Sequence, residues 1–484
     1  MMQYPIPQNG KMTNYRWSIT AMLFFATTIN YLDRQVLSLT WKDFIAPEFH
    51  WTDSDYGTVT GLFSIFYAVA MLFAGKFVDW MDTKKGFLWA IGVWSAGAVL
   101  HAFCGIATSG ILTGDWALSF AGARESIAAV SDVSKVVTVS VSLFIFARVI
   151  LAVGEAGNFP AAIKATAEYF PKKDRAFSTS IFNSGAQIGA LLAPVTIPFI
   201  AQAWGWEMAF IIIGATGFVW MGFWIFVYNK PDKCKKVNTQ ELAYICQDDA
   251  DLSAADHLAQ SKKRISFARA FSYKQTWAFA IGKFMTDGVW WFFLFWAPAY
   301  LESVYGLTSV QSAPYIFVLY LITMLSIVGG WLPSYFVDKK RMEPYAGRMK
   351  AMLIFAFFPL LALLAQPLGH VSVWLPVIII GIAGAAHQAW SANIFSTVGD
   401  MFPKYAVATI IGIGGLAGGV GSFIINKGSG MLFDHAAETK MQLLGFEGKE
   451  AGYFIIFSIC AVAYLIGWLI IKTLVPKYKP VTDL

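Results

Sequence analysis

A series of apolar runs, each about 20 residues long, limits what this chain can become. As a helix, such a run crosses the roughly 30 Å hydrocarbon core of a bilayer with every backbone hydrogen bond made internally. Six runs begin near Arg16, Tyr56, Gly86, Val136, Phe177 and Met208. Six more begin near Thr276, Ser312, Met349, Val373, Val407 and Tyr453. Of the 484 residues, 57% are hydrophobic and 14% charged. A soluble domain carries roughly 25% charged residues, so the chain reads as a polytopic membrane protein.

The two sets of runs are separated by Asn229–Lys274, which holds nine Lys/Arg and six Asp/Glu. The expected domains are an N-terminal six-helix bundle (1–228), a cytoplasmic central loop (229–274) and a C-terminal six-helix bundle (275–484). Lys and Arg gather after even-numbered spans: Lys84-Lys85, Lys172-Lys173-Arg175, the central loop, Lys339-Lys340-Arg341 with Arg348 and Lys350, Lys404, and Lys472-Lys477-Lys479. The positive-inside rule therefore places both termini and the central loop in the cytoplasm. Residues 1–15 are polar and no A-x-A-like cleavage site follows them, so the first run is expected as a retained span.

An internal repeat supports duplication. Phe77-Val78-Asp79 recurs as Phe336-Val337-Asp338, and Phe170-Pro171-Lys172 as Phe402-Pro403-Lys404. The offsets are 336 − 77 = 259 and 402 − 170 = 232, so the first half carries 27 extra residues between these landmarks. The polar, Ser/Ala/Gly-rich stretch 108–135 is the place for them, an outer insert that either covers that face or forms a solvated loop. The fold class is thus an all-α polytopic membrane protein with twelve transmembrane helices in two pseudo-symmetric six-helix bundles. Parallel six-helix repeats with a site at their interface describe one transporter architecture.

Several functions are disfavoured. The net charge of +6 is distributed by side and too modest for a nucleic-acid partner. Cys104, Cys234, Cys246 and Cys460 have no C-x-x-C spacing, which speaks against zinc or a disulfide framework. No G-x-x-x-x-G-K-[ST], H-E-x-x-H or G-x-S-x-G occurs, so neither ATP drive nor a common hydrolase site is indicated. The chain is expected not to be an enzyme and to need no cofactor or metal.

Ionisable residues within spans are expensive and carry the functional signal. Arg148 and Glu155 lie seven residues apart on one helix face, about 10 Å along its axis. A structural ion pair with neighbouring helices is one reading; a substrate or proton pathway is the other. By the 232 offset Glu155 corresponds to His387, which suits proton handling or, equally, a neutral packing role. Asp33 and Arg34 on the first span are a further candidate pair. The remaining polar and aromatic positions are Tyr31, Tyr67, Asn183, Gln187, Lys283, Asp287, Trp290, Trp291, Gln388, Trp390, Ser391 and Asn393. A guanidinium fork captures a carboxylate, and amides, hydroxyls and indoles suit a polyol, so the set describes a small hydrophilic anion. Asp33 and Glu155, with Arg148, are the expected proton-coupling residues: a substrate carboxylate competing for Arg would release an acid to take a proton.

Twelve spans, a basic central loop and Gly75-x-x-x-Asp79 resemble the major facilitator superfamily, although Trp80 stands where the family usually has Arg. Asn30-Tyr31-Leu32-Asp33-Arg34 and Arg148…Gly154-Glu155-Ala156-Gly157-Asn158-Phe159-Pro160 resemble its anion:cation symporter branch. Lys283-Phe284-x-Thr286-Asp287-x-x-Trp290-Trp291-Phe292 and Ala386-His387-Gln388-x-Trp390-Ser391-Ala392-Asn393 look like hexuronate transporters. The resemblance covers roughly residues 15–475. It implies proton-coupled import of a hexuronate, such as glucuronate or galacturonate, by alternating access in a bacterial inner membrane, with the protein working as a monomer. It also implies that Arg34 contacts the anion near Tyr31 and Tyr67, that Asp33 and Glu155 handle the proton, and that Arg148 links site to gate. Another organic anion (an aldonate, glucarate or aromatic carboxylate) and a non-transporting membrane sensor are the alternatives.

Overall fold

The computed structural model describes residues 11–116, 118–247 and 266–481; residues 248–265, the middle of the expected central loop, lie outside them. Twelve long helical segments, here α1–α12, run through the described chain. The first half has α1 (Arg16–Thr40), α2 (Asp53–Met81), α3 (Thr83–Ala102), α4 (Val133–Glu155, resuming as Asn158–Tyr169), α5 (Lys172–Trp204) and α6 (Trp206–Val227). The second has α7 (Lys274–Tyr305), α8 (Ser309–Thr323, resuming as Val328–Asp338), α9 (Pro344–Phe357, continuing to Gly369), α10 (Trp374–Met401), α11 (Lys404–Glu438) and α12 (Lys449–Leu474).

By length and apolarity, nine of these segments qualify as membrane spans, and α3 with its continuation Cys104–Thr113 makes a tenth bent by 53°. The two that fall short are α1 and α7. They carry Asn30, Asp33, Arg34 and Gln35, and Lys283 and Asp287, respectively. Both bring ionisable groups to the interior, as the far more apolar α4 does with Arg148 and Glu155.

In the first half α1 packs on α5 and α6, and α3 on α4 and α6; in the second α7 packs on α11 and α12, and α8 on α10. The halves meet where α2 lies along α11, α5 along α8, and α1 against α7. Advancing α2 and α5 by six helices gives α8 and α11, so the first two seams are copies of one contact. Close packing of α3 on α4 needs glycine: a Cβ on Gly97 would lie 2.5 Å from the Leu151 amide nitrogen, and one on Gly154 2.3 Å from that of Trp94. That contact fixes the end of α4, where Glu155 stands.

Polar contacts between the halves gather on the face opposite the chain termini. Asp434 of α11 accepts hydrogen bonds from the amides of Asp53 (3.0 Å) and Ser54 (2.7 Å) at the start of α2. Lys427 donates to Ser54 Oγ (2.8 Å) and Thr58 Oγ1 (2.6 Å). Lys449, at the start of α12, pairs with Asp53, which also holds Lys42 of its own half at 2.9 Å. Beneath this layer Trp41 stacks on Tyr56 (4.0 Å between centroids), Trp296 packs edge-on to both, and the Tyr56 hydroxyl donates to the Phe295 carbonyl. The two halves are closed onto each other on that side.

The stretch expected as an outer insert has its own structure. The bent segment Cys104–Thr113 prolongs α3, and a further helix spans Phe120–Ala128. From that helix Arg124 reaches Glu207 at 2.6 Å and Glu48 at 3.2 Å, and Trp206 donates to Glu48 at 2.7 Å. The insert thus clamps the connections on either side of it instead of standing off as a solvated loop. On the terminal face a short helix, Thr239–Ile245, sets the buried carboxylate of Glu241 against the start of α1, accepting from Thr13 Oγ1 and the amides of Tyr15 and Arg16 and pairing with the Arg16 side chain.

Candidate functional site

Arg34 projects from α1 toward the break in α4. Its Nε and Nη2 both donate to Glu155 Oε2, at 2.9 and 2.7 Å, and both side chains are buried. Aromatic rings surround the guanidinium: Tyr67 lies at 4.8 Å, Tyr31 at 5.0 Å, Trp291 at 5.2 Å and Phe63 at 5.8 Å from its carbon. Three of these rings come from the first half and Trp291 from the second, so this cation sits at the seam. Its charge is matched by one carboxylate and four π faces.

Arg148 and Glu155 share a helix face but do not pair with each other, and Glu155 finds its partner, Arg34, on a neighbouring helix. Arg148 is also buried, 5.1 Å from the Phe63 ring, with no hydrogen bond to its guanidinium nitrogens among the described residues. Asp33 does not pair with its neighbour Arg34. Consecutive helical positions diverge by about 100°, so Asp33 turns into the first bundle, toward Arg148 and Trp94. Neither of its carboxylate oxygens has a hydrogen-bond partner among the described residues. A buried guanidinium and a buried carboxylate that face each other without a hydrogen bond between them are costly to maintain. They sit one helix face away from the Arg34–Glu155 pair.

The second half supplies its own ionic pair. Lys283 Nζ lies 2.7 Å from Asp287 Oδ1, one turn along α7, and 4.4 Å from the Phe395 ring. His387 stacks on Trp290 (5.3 Å, 4° between planes) and exchanges a hydrogen bond with the Tyr464 hydroxyl at 2.7 Å. The adjacent tryptophans therefore part company: Trp291 joins the box around Arg34, whereas Trp290 packs within the second half.

Two positions expected at a substrate surface are taken up by packing. The Asn393 side-chain amide donates to the carbonyls of Gly329 and Ala389, both at 2.8 Å, which fastens α10 to α8. Trp390 is fully buried against Tyr464. Gln388 and Ser391 are half-buried on the same helix, and Asn183 is exposed on α5. Gln187, one turn beyond Asn183, accepts from Thr323 Oγ1 at 3.1 Å and so joins α5 to α8. Among the described residues no cluster of metal-ligating side chains occurs.

Paired six-helix halves with buried ionisable side chains along their seam are the architecture of a membrane carrier. The chain belongs to the Major Facilitator Superfamily, whose family model matches residues 23–425. Among relatives, the hexuronate transporter of Escherichia coli (strain K12) is 26% identical over 478 residues, covering 98% of this chain and 96% of that protein. The galacturonate transporter of Dickeya chrysanthemi is 28% identical over 327 residues, covering 67% and 84%. A probable galactarate/D-glucarate transporter of Escherichia coli (strain K12) is 25% identical over 338 residues, covering 69% of each. The fold is shared with a bacterial homologue of the human lysosomal transporter Spinster in an inward-facing, unoccupied conformation (TM-score 0.68, 18% identity, 95% and 97% coverage) and with a D-xylose–proton symporter (TM-score 0.63, 16% identity, 96% and 98% coverage).

Proposed function

We propose that this protein imports a monoanionic sugar acid of the hexuronate class together with protons. The observation that carries the reading is the Arg34–Glu155 pair inside its aromatic box. A substrate carboxylate can take the Arg34 fork only if Glu155 gives it up. An ionised Glu155 left buried beside a second carboxylate would cost several kcal/mol, so Glu155 leaves as the neutral acid. Anion binding and proton binding are thereby linked. Tyr31, Tyr67 and Trp291 offer ring faces and hydroxyls to the sugar, and Lys283, Gln388 and Ser391 offer polar groups from the other half. With Glu155 neutral, Arg148 and Asp33 are drawn together, which carries the change into the first bundle.

The relatives named for hexuronate and galacturonate support this substrate class. The terminal face is assigned to the cytoplasm of a bacterial inner membrane on the distribution of Lys and Arg, with a monomer as the working unit. The closed opposite face then corresponds to an inward-facing state. The test is uptake of radiolabelled D-glucuronate into proteoliposomes. Accumulation driven by an inside-alkaline gradient is expected, and Glu155→Gln should lower the protons moved per sugar acid by one. Accumulation of aldarates or aldonates in place of hexuronates would overturn the substrate class; accumulation indifferent to the pH gradient would overturn the coupling.

A further inference from the structure

We propose that Asp287, poised against Lys283, is a proton-binding carboxylate of the second half, so that each monoanionic sugar acid crosses with at least two protons. The inference rests on the proton-coupled reading above and adds a site in the other half.

The Lys283–Asp287 pair is badly suited to a structural role. Both residues lie on α7, one turn apart, with side chains 7% and 13% exposed. A salt bridge of this kind ties a helix only to itself and stabilises it weakly even on a surface, while burying both charges is expensive. Beyond the approach of Lys283 to the Phe395 ring it engages no charge on a second element, unlike Arg34–Glu155, which links α1 to α4. Among the described residues, Lys283 is the one ion-pair partner of Asp287. The other elements around it present little else. From α12 comes the Tyr464 hydroxyl, and from α10 His387, already bonded to that hydroxyl. From α11 comes the bare backbone of Gly418, where a Cβ would lie 2.2 Å from Asp287 Oδ2. On α1 the nearby cation, Arg34, is committed to Glu155.

The position beside Gly418 is what gives the pair leverage. The next residue, Gly419, packs on Ala68 and Ser64 of α2, in the other half. Asp287 thus sits one residue from the α2–α11 seam along which the halves must reorient. When Asp287 takes a proton from the outer side, Lys283 loses its counterion and becomes a second cation for the incoming anion. When the proton leaves inward, the pair closes again. The charge balance follows: one anion with one proton is neutral, and one anion with two protons carries a net positive charge inward.

Electrogenicity tests this directly. Proteoliposomes bearing the full-length protein on a solid-supported membrane are given a D-glucuronate jump at pH 6.5. The expected result is an inward positive current in the wild type. In Asp287→Asn the charge moved per labelled glucuronate taken up should fall by one, read as the ratio of integrated current to uptake so that a change in rate alone does not register. Because that variant leaves Lys283 unpaired, the Lys283→Met/Asp287→Asn double variant, which removes both charges, is measured beside it; whatever its rate of uptake, its charge per glucuronate should fall by the same one unit. Proton-coupled uptake without current in the wild type, or an undiminished charge per glucuronate in either variant, overturns the proposal and leaves the proton-coupled reading standing. Wild-type uptake without any proton movement overturns that reading, and this proposal with it.

Discussion

The closed face opposite the termini invites a quantitative test at Lys449. Lys449→Met breaks the ion pair with Asp53 across the halves; Asp53 keeps Lys42 at 2.9 Å, so no buried carboxylate is orphaned. Hydrogen bonds to charged groups contribute about 1.5–3 kcal/mol. Lys449 is 28% exposed, so solvent screening argues for the low end, about 1.5 kcal/mol. That is about a tenfold shift in the closed-to-open ratio on this face. Spin labels at Trp204 and Val371, both exposed and on opposite halves, in a background without the four cysteines, would report it by pulsed dipolar spectroscopy. The long-distance population should grow in Lys449→Met. Lys42→Met breaks a pairing within one half and should leave the distribution nearly unchanged. An unaltered distribution in Lys449→Met, or an equal shift in both variants, would refute the assignment of Lys449 as a latch.

Other outcomes follow from local geometry. Arg34→Lys replaces a two-pronged donor by a point charge, and losing one charge-assisted bond should weaken D-glucuronate binding about 10–100-fold by calorimetry; unchanged affinity would remove Arg34 from the site. Gly418→Ala puts a methyl 2.2 Å from Asp287 Oδ2 and should destabilise the protein by about 1–3 kcal/mol, whereas Gly415→Ala, with nothing within 4 Å, should be neutral or stabilising by about 0.5–1 kcal/mol. Equal melting temperatures for the two variants would contradict the packing described for α7 and α11. Burial pushes the Glu48 carboxyl up to about 7, against the opposing pull of Trp206 and Arg124. A raised folded-state pKa in an acid means that the native state holds the extra proton, so stability should fall as pH rises from about 4.5 to 7, by about 3 kcal/mol in all. Glu48→Gln should flatten that slope in thermal melts; an unchanged slope would place its origin elsewhere.

The helical layout could be read from runs of about 20 apolar residues, because a bilayer leaves a chain few alternatives. The polar residues inside those runs also stood out, and both ionic pairs are made from them. Which charge meets which was not legible. Arg148 and Glu155 share a helix face in sequence, yet the short α3–α4 contact at Gly97 and Gly154 orients the end of α4 so that Glu155 meets α1. Trp290 and Trp291 are adjacent in sequence and serve different halves, a division set by the rotation of α7. Lys427, Asp434 and Lys449 carry no signal in the sequence because charges at span ends are ordinary. Only the approach of α2 to α11 gives them partners. The clamp at Arg124 depends on a short helix and two distant acids, and no spacing rule joins Glu48 to Glu207.

Glu241 has a bearing on where this chain can be cut. Its carboxylate meets the start of α1 from a segment that follows α6, so the first part of the central connection belongs to the N-terminal half as firmly as any of its spans. A cut that spares this contact therefore falls beyond the helix Thr239–Ile245, not at Asn229. Two co-expressed fragments divided there would each keep a complete set of six helices, and the first would retain its own lid. A division at Asn229 would instead strip the opening turn of α1 of the carboxylate that satisfies its amides.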